Sequence, residues 1–317
     1  MKAFLKLIRF PNLLIVVMTM LLMRYAILGP VLGKMNMALQ SSWFDFLILV
    51  FATMLITAGG YVINDYFDIK TDLINRGRVI VGTKIPRRQA MMWHNLFNIT
   101  GVAAGFYVSA KAGYIWLGIL FLVVSGLLYF YSASYKRQFL IGNILVAVLT
   151  AMVPMLVVIF EAPALYQYYV INAIKVPDLS IIFYWVGGFA VFAFLTTLSR
   201  EIIKDIEDFE GDVAYGRNTV PVVIGIRTSK IVSVCLVFIT ILALYLVWYF
   251  YLNYLITFVY VTAALALPMG YVIFQIIVSQ SRIQLHSASR IMKIIMLAGI
   301  LYSVVVKITL TYNLILI

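Results

Sequence analysis

The chain has 317 residues, of which 64% are hydrophobic and only 11% are charged, and its mean hydropathy is +1.04. A soluble domain is nearer half apolar and a quarter charged, so this composition excludes a soluble globular protein and predicts an integral membrane protein. The net charge of +12 does not predict nucleic-acid binding, because the placement of the basic residues described below explains it by membrane topology.

Apolar runs separated by polar breaks predict nine transmembrane helices. A spanning helix needs roughly 20 apolar residues, and it pairs its own backbone polar groups within the lipid. Such runs lie near residues 12–32, 44–64, 90–110, 114–134, 140–160, 180–200, 231–252, 254–279 and 294–315. The first begins like a secretory signal, but it lacks a small-residue cleavage site and continues too far, so it is interpreted as a retained span. We therefore expect an all-α polytopic membrane protein.

The distribution of Lys and Arg predicts an N-in/C-out orientation. With the N-terminus in the cytoplasm, 19 of the 24 basic residues fall on cytoplasmic segments, whereas the opposite loops hold only Lys34, Lys111 and Lys175. This imbalance is the positive-inside rule. Two cytoplasmic loops, 65–89 and 201–230, are expected to be long. The membrane is expected to be the plasma membrane if the source is prokaryotic.

Nine of the twelve acidic residues lie in two short patches on the cytoplasmic side, "NDYFDIKTD" (64–72) and "REIIKDIEDFEGD" (200–212). Each patch contains three aspartates spaced i, i+3, i+7, and the two triplets are offset by 140 residues: Asp65, Asp68 and Asp72, then Asp205, Asp208 and Asp212. On a helix these positions share about 60° of arc, so each triplet predicts one acidic stripe. Four spans separate the patches, which predicts a single domain over residues 1–317 built from two repeats.

Facing carboxylates repel one another unless a cation neutralises them, and Mg²⁺ prefers a few carboxylates together with phosphate oxygens and water. Basic residues that are suited to phosphate lie in the same segments: Arg76, Arg78, Lys84, Lys136, Arg137, Lys204 and Arg217. Acids for a metal beside bases for phosphate favour a magnesium-dependent site for a diphosphate. For one patch alone, solvated helix ends would be the simpler interpretation. A cation transporter is an alternative of another class, although transporters usually place such charges near the bilayer midplane.

At these residues the sequence resembles the UbiA superfamily of intramembrane prenyltransferases. The N-D-x-x-D-x-x-x-D signature stands at Asn64, Asp65, Asp68 and Asp72, and the D-x-x-x-D signature at Asp208 and Asp212. The resemblance implies nine helices around a central cavity, with a site opening to the cytoplasm. It also implies Mg²⁺ on the aspartates, a polyprenyl diphosphate donor and ionisation of the allylic C–O bond. Asn64, Asp68, Asp72, Asp208 and Asp212 are the expected catalytic residues, and the six aspartates are the expected metal ligands, with Glu201 as a further candidate.

The chain departs from the family pattern at two places. The usual Tyr-x-x-x-Lys signature reads Ser132 to Lys136, with Tyr131 and Tyr135 nearby, so no tyrosine role is assigned. The proline-rich loop of many members reads "INRGRVIVGTK" (74–84). The segment 200–225 is most similar to the branch that transfers geranylgeranyl to a glycerol-phosphate hydroxyl. A hydrophobic or phosphate-bearing acceptor is therefore expected, and an aromatic acceptor such as 4-hydroxybenzoate or a naphthoate is the alternative.

Overall fold

The structure, a computed structural model, describes residues 1–76, 79–172 and 178–311, and almost all of the regular structure in that part is helical. The α-helices are α1 (Lys2–Leu7), α2 (Phe10–Leu22), α3 (Gly29–Lys34), α4 (Trp43–Phe67), α5 (Ile69–Arg76), α6 (Arg87–Lys111), α7 (Gly118–Ala133), α8 (Ile141–Ile171), α9 (Ser180–Glu207), α10 (Phe209–Ala214), α11 (Val220–Ile224), α12 (Ile226–Tyr251), α13 (Leu255–Tyr260), α14 (Leu267–Val278) and α15 (Arg282–Thr311). Two π-helical segments, Met23–Leu28 and Val261–Ala266, join α2 to α3 and α13 to α14, and 3₁₀ turns at Ile115–Leu117 and Tyr135–Arg137 flank α7. The extended pairing within the described ranges is one isolated bridge between Val81 and Ile85.

Eight helical segments of the described chain are long and apolar enough to cross a membrane, so the protein is an integral, multi-pass membrane protein. They are Phe10–Lys34, Trp43–Phe67, Ile115–Ala133, Ile141–Ile171, Ser180–Glu207, Ile226–Tyr251, Leu255–Val278 and Arg282–Thr311. Each coincides with one of the nine predicted spans. The remaining predicted span, 90–110, is helical in α6 but does not belong to this apolar set.

Several helices continue beyond the apolar runs that predicted them. The segment 201–230, predicted as a long connection on the cytoplasmic side, is largely helical, since it contains the end of α9, all of α10 and α11, and the start of α12. Within this extension Lys204 Nζ lies 2.8 Å from Glu201 Oε2, an i, i+3 pair on one helical face. Such pairs stabilise helices outside the lipid, where the apolar pattern no longer signals them.

Two adjacent glycines allow the close packing of α4 against its neighbours. A Cβ on Gly59 would lie 2.7 Å from Asn98 Nδ2 of α6, and a Cβ on Gly60 would lie 3.0 Å from Leu128 Cδ1 of α7. Neither position has room for a larger side chain without displacement of its neighbour. The close approach of α4 to α6 and α7 at these two positions therefore depends on glycine.

The second half of the molecule is organised around α9, which packs against α8, α12 and α15. Its apolar core contains Ile202, Ile203, Met269 and Met292, all fully buried. At the ends of α4 and α9 that carry the aspartates, the short helices α5 and α10 pack against each other. The two halves of the chain therefore meet where the two acidic patches lie.

Candidate active site

Asp68 and Asp208 occupy equivalent positions, each as the residue that ends a long helix. Asp68 caps α4 with φ −92° and ψ 2°, and Asp208 caps α9 with φ −95° and ψ 9°. The amide of Asp68 donates to the carbonyl of Asn64 at 3.0 Å, and that of Asp208 donates to the carbonyl of Lys204 at 2.8 Å. The same local structure thus recurs at the same place in both aspartate triplets.

Each of the two long helices breaks at the middle aspartate, so each predicted stripe is divided between two helices. The third aspartate of each triplet, Asp72 or Asp212, lies on the short helix that follows the break. The amides of Asp72 and Asp212 still donate to the carbonyls of Asp68 and Asp208, at 2.8 and 3.1 Å. Aspartate is a weak helix former, and a carboxylate is unfavourable at a helix C-terminus, which accounts for a break there.

The two patches converge on the guanidinium of Arg217. Its Nη2 lies 2.7 Å from Asp68 Oδ1 and its Nη1 lies 3.4 Å from Asp212 Oδ1. Nη2 also donates to Thr71 Oγ1 at 2.7 Å. Asp72 is within electrostatic range of the same group. Aspartates from both halves of the sequence therefore face one another across the width of a single cationic group.

Lys136 adds a second cation to Asp68. Its Nζ lies 2.8 Å from Asp68 Oδ1 and donates to Asn64 Oδ1 at 3.1 Å. The loop that carries Lys136 is held against the second patch, because the amide of Asn218 donates to the carbonyl of Arg137 at 2.8 Å. The asparagine of the first motif and the lysine after α7 thus belong to one site.

The remaining three aspartates each have a polar partner. Asp65 Oδ1 accepts from Arg9 Nη2 at 3.1 Å, and Asp208 Oδ1 accepts from Arg282 Nη2 at 3.0 Å. Asp205 Oδ2 accepts from the neutral amide of Asn143 at 2.7 Å. A partly buried carboxylate that is paired only with a neutral amide is unfavourable, so an added cation would stabilise the carboxylate of Asp205.

Burial and nearby charges shift the pKa values of Asp68 and Asp212 in opposite directions. Burial alone would raise the pKa of Asp68, but Lys136 and Arg217 outweigh it and hold that pKa below its ordinary value. Burial is stronger than the pull of Arg217 at Asp212 and raises its pKa to about 6. Burial also lowers the pKa of Lys136 to about 8, although Asp68 partly opposes this. The site is thus partly desolvated, which strengthens electrostatic interactions within it.

The structure brings some of the predicted phosphate-binding residues to the aspartates and leaves others apart. Lys136 and Arg217 contact the motif aspartates, whereas Lys204 pairs with Glu201 at 2.8 Å, and Lys84 is exposed with no ion pair in the described chain. Arg137 contributes its backbone carbonyl, which accepts from the amide of Asn218 and links the loop after α7 to the loop before α11. The side chain of Arg76 and the whole of Arg78 lie outside the described residues.

Three side chains at the site, those of Arg9, Arg282 and Tyr131, were not predicted as part of it, whereas Asn143 was one of two asparagines that the sequence left open as cavity-facing. Arg9 and Arg282 pair with Asp65 and Asp208, and Asn143 holds Asp205. Tyr131 is within electrostatic range of Asp68, Asp205 and Arg9. Arg9 and Arg282 carry no separate signal in the sequence, because the positive-inside rule already predicts basic residues in their segments.

The donor set fits Mg²⁺, although the carboxylates are turned toward cationic side chains. In the part of the chain that the structure describes, no three carboxylate, histidine or cysteine groups converge tightly enough to hold a metal ion as they stand. Asp68 and Asp212 nevertheless share one cation already, that of Arg217, so a cation between the patches is within reach of both. Carboxylate oxygens and water are the ligands that Mg²⁺ prefers.

Comparison with known sequences identifies a family and individual relatives of this chain. Residues 27–297, which include both patches, match the sequence model described as the UbiA prenyltransferase family. The digeranylgeranylglyceryl phosphate synthase of Methanosphaera stadtmanae is 31% identical over 242 residues, which cover 76% of this chain and 80% of the relative. The enzyme of that name from Thermococcus kodakarensis is 32% identical over 201 residues, and the match spans 63% of this chain and 64% of the relative, just under two thirds of its length.

Solved structures share the fold at low sequence identity. A UbiA homolog from Aeropyrum pernix superposes with a TM-score of 0.62 at 16% identity, over 89% of this chain and 96% of the homolog. A structure of digeranylgeranylglyceryl phosphate synthase has a TM-score of 0.61 at 22% identity, over 96% of this chain and 98% of that chain. A UbiA homolog from Archaeoglobus fulgidus, solved with GPP and Mg²⁺, has a TM-score of 0.54 at 17% identity and covers 96% of this chain and 99% of the homolog.

Proposed function

This chain belongs to the UbiA prenyltransferase family and is an integral membrane enzyme, and from that premise we propose that it transfers a geranylgeranyl group from its diphosphate to geranylgeranylglyceryl phosphate. The single observation that carries the proposal is the meeting of Asp68 and Asp212 at Arg217, which brings acids for a metal and a base for phosphate to one point. The glycerol-phosphate acceptor is favoured because curated relatives at 31% and 32% identity are named digeranylgeranylglyceryl phosphate synthase.

We propose Mg²⁺ as the cofactor, in keeping with the family and with the Archaeoglobus fulgidus homolog solved with GPP and Mg²⁺. The six aspartates, Asp65, Asp68, Asp72, Asp205, Asp208 and Asp212, would hold it. When bound, the metal would supply positive charge to the donor diphosphate, which makes that group a better leaving group.

Basic side chains of this enzyme also stabilise the departing diphosphate. Lys136, Arg217 and Arg282 each contact an aspartate of the motifs, so each lies where it can donate to a diphosphate oxygen once a metal neutralises its carboxylate partner. As the allylic C–O bond breaks, the electron pair remains with the diphosphate, and these preorganised cations stabilise its growing charge. The acceptor hydroxyl then attacks the allylic carbon, and its proton passes to the released diphosphate. Asn64 holds Lys136 in place through the bond from Nζ to its Oδ1.

We propose nine spans, oriented N-in/C-out, around a central cavity that opens to the cytoplasm, in the plasma membrane of a prokaryote. The ninth span would be α6, whose 25 residues are about 37 Å long at 1.5 Å per residue. Two of its polar side chains are satisfied inside the bundle. His94 Nδ1 lies 3.0 Å from the carbonyl of Gly59, and Asn98 Oδ1 accepts from Ser125 at 2.6 Å. Polar groups that face other helices are tolerated in a membrane.

We also propose that residues 1–317 form a single domain of two repeats, with equivalent aspartate patches at 64–72 and 201–212. The support is local geometry as well as spacing. Asp68 and Asp208 end their helices with backbone angles that agree within a few degrees, and each is followed by a short helix that carries the third aspartate.

The test is transfer by the purified enzyme in detergent or vesicles. Labelled geranylgeranyl diphosphate and Mg²⁺ are supplied with geranylgeranylglyceryl phosphate or with 4-hydroxybenzoate. We expect product with the first acceptor, and a loss of about a hundredfold or more in kcat/KM for Asp68→Asn and Asp208→Asn, since each removes charge-dependent contacts to the diphosphate. Asp45→Asn and Asp178→Asn are the matched controls, because Asp45 lies in the first turn of α4 and Asp178 lies two residues before the start of α9, at the ends opposite to the motif aspartates.

Two results would contradict the proposal. Prenylation of the aromatic acceptor alone would assign the enzyme to the quinone branch. An absence of diphosphate release with every acceptor, together with wild-type behaviour of both motif variants, would remove the transferase function. Metal-driven ion flux in the same vesicles would then favour the transporter.

A further inference from the structure

A second group of cations lies beside the aspartate site, where α2 packs against α4 and α15, and α15 packs against α9. It comprises Arg9, immediately before α2, Arg200, about two turns before the end of α9, and Lys293, about three turns into α15. We call these three residues the basic corner. The fourth helix, α4, contributes Tyr61, and α2 packs against both α4 and α15. Arg9 also pairs with Asp65 of the first aspartate patch, whereas within the described residues Arg200 and Lys293 make no ion pair with a motif aspartate.

Lys293 is the member of the corner without an acidic partner. Its Nζ donates to Asn12 Oδ1 at 2.5 Å, and it makes no ion pair within the described residues. The side chain is half-buried. A partly buried ammonium satisfied only by a neutral amide retains an unneutralised charge, so Lys293 is ready to bind an anion.

Asn12 connects Lys293 to Arg9 through Tyr61. Its Nδ2 donates to the Tyr61 hydroxyl at 3.3 Å, and the guanidinium carbon of Arg9 lies 4.8 Å from the centre of the Tyr61 ring. Arg9 is also within electrostatic range of Lys293. The two cations are thus held near each other by polar and aromatic side chains that contribute no negative charge.

Arg200 completes the corner from the other side. Its Nε donates to the carbonyl of Ser289 on α15 at 3.3 Å, and its Nη1 lies 3.0 Å from Glu201 Oε1. Glu201 is shared with Lys204, and Asp65 is the partner of Arg9. The basic corner therefore holds more cations than paired carboxylates, and the charge without a carboxylate partner among the described residues is that of Lys293.

We infer that the basic corner binds the phosphate of a lipid acceptor, a phosphate monoester, beside the metal-dependent diphosphate site. The inference rests on the proposed function. A phosphate monoester carries a charge of about −1.5 to −2 at pH 7, which suits a corner with unneutralised cations. In a glycerol lipid the hydroxyl is only a few bonds from the phosphate, so that phosphate must lie next to the diphosphate site but outside it. Asp65, which pairs with Arg9, precedes Asp68 by less than one helical turn.

The donor diphosphate is the other anion that could occupy the corner, and the experiment separates the two. Equilibrium binding of labelled geranylgeranylglyceryl phosphate is measured without donor or metal, and binding of labelled geranylgeranylglycerol, which lacks the phosphate, is measured in parallel. The variants are Lys293→Ala, Lys293→Arg and Asn12→Asp, the last of which gives Lys293 an acidic partner. Arg290→Ala is the control, because Arg290 is exposed on α15 one turn before Lys293.

We expect Lys293→Ala and Asn12→Asp to raise the Kd for the phosphate lipid by about tenfold to a hundredfold, the range for loss of a charge-assisted hydrogen bond. Lys293→Arg and Arg290→Ala should remain within about twofold of wild type, as should the binding of the phosphate-free lipid to every variant, which also shows that each variant is folded. In turnover, KM for the acceptor should rise and KM for the donor should not.

An unchanged Kd in Lys293→Ala and Asn12→Asp, or an equal loss of both lipids, would overturn the inference. A rise in KM for the donor alone would assign the corner to the donor diphosphate instead and would also overturn it. Because binding is measured without turnover, an enzyme that binds the phosphate lipid through Lys293 but forms no product would leave this inference standing while the proposed function fails.

Discussion

The carboxylates of Asp68 and Asp212, which belong to different halves of the sequence, contact two nitrogens of the same guanidinium, that of Arg217, at 2.7 and 3.4 Å. The planar, forked geometry of arginine permits this double contact, which a single ammonium at the end of a flexible chain reproduces poorly. Arg217 therefore fixes the separation of the two patches and presents positive charge between them.

Two substitutions of Arg217 distinguish the contribution of its charge from that of its forked geometry. We expect Arg217→Gln to lower kcat/KM by about a hundredfold, because it removes a charged donor from a partly desolvated site. Arg217→Lys keeps the charge but loses the fork, so a loss of about tenfold is expected, mostly in KM for the diphosphate donor. Steady-state kinetics measures both. Arg227→Gln, at an exposed position on α12, should behave like wild type, and wild-type kinetics in Arg217→Lys would contradict the role of the fork.

Removal of metal should stop turnover without unfolding the protein. Asp68, Asp212 and Asp208 already have arginine or lysine partners, so their charges are neutralised when no metal is present. We expect EDTA to abolish product formation and Mg²⁺ to restore it, while the far-ultraviolet circular dichroism stays unchanged and the Tm shifts by no more than a few degrees. Loss of helical signal on chelation would contradict this, because it would mean that the metal is needed to hold the patches together.

The sequence predicted the meeting of the two patches because an equal spacing of aspartates, separated by an even number of spans, is a local pattern with a topological consequence. It did not predict the helix breaks at Asp68 and Asp208, since an i, i+3, i+7 pattern is compatible both with one helix and with two short ones. The pairs Arg9–Asp65 and Arg282–Asp208 depend on packing between distant helices, and no local pattern encodes them.

The ion pair of Glu161 is another contact that the sequence alone does not predict. In the sequence it is one of three acids outside the patches, within a long apolar run and without a motif. In the structure it is 1% exposed and binds Arg24 at 3.1 Å. A charge within an apolar run signals a partner or a function, but the partner itself depends on how α8 packs on the first span.

The glycine pair on α4 offers a test of helix packing. A Cβ on Gly59 would lie 2.7 Å from Asn98 Nδ2, a side chain held by the hydroxyl of Ser125, so Gly59→Ala should destabilise the protein by about 1–3 kcal/mol. Gly187→Ala is the matched control, because a Cβ at Gly187 on α9 meets no atom within 4 Å. Alanine favours helix over glycine, so the control should be neutral or stabilising by up to about 1 kcal/mol.

Denaturant titration or thermal unfolding in detergent measures both glycine variants. Equal stabilities would mean that α4 and α6 can separate at no cost, which would contradict the tight contact between them. Activity per folded molecule should fall in Gly59→Ala only if the displacement reaches Asn64, one and a half turns further along the same helix.

The buried ion pair of Arg24 and Glu161 should stabilise the fold without a role in catalysis. Glu161 accepts from Arg24 Nη1 at 3.1 Å and from the amide of Ser41 at 3.1 Å, and it also accepts from the Ser41 hydroxyl, so it ties the loop before α4 to α8. Asn143, which contacts Asp205, lies 18 residues earlier on α8, or about 27 Å along the helix. The pair is therefore remote from the aspartate site.

Glu161→Ala leaves Arg24 buried without its counter-ion and should cost about 3–5 kcal/mol in the free energy of unfolding. The double variant Arg24→Met with Glu161→Leu removes both charges and fills their volume, so it should recover most of that loss. Unfolding titrations of the single and double variants measure the coupling, and KM for the donor should stay at the wild-type value in each. Additive losses in the double variant, or a donor KM that follows stability, would show that Glu161 acts through something other than its pairing with Arg24.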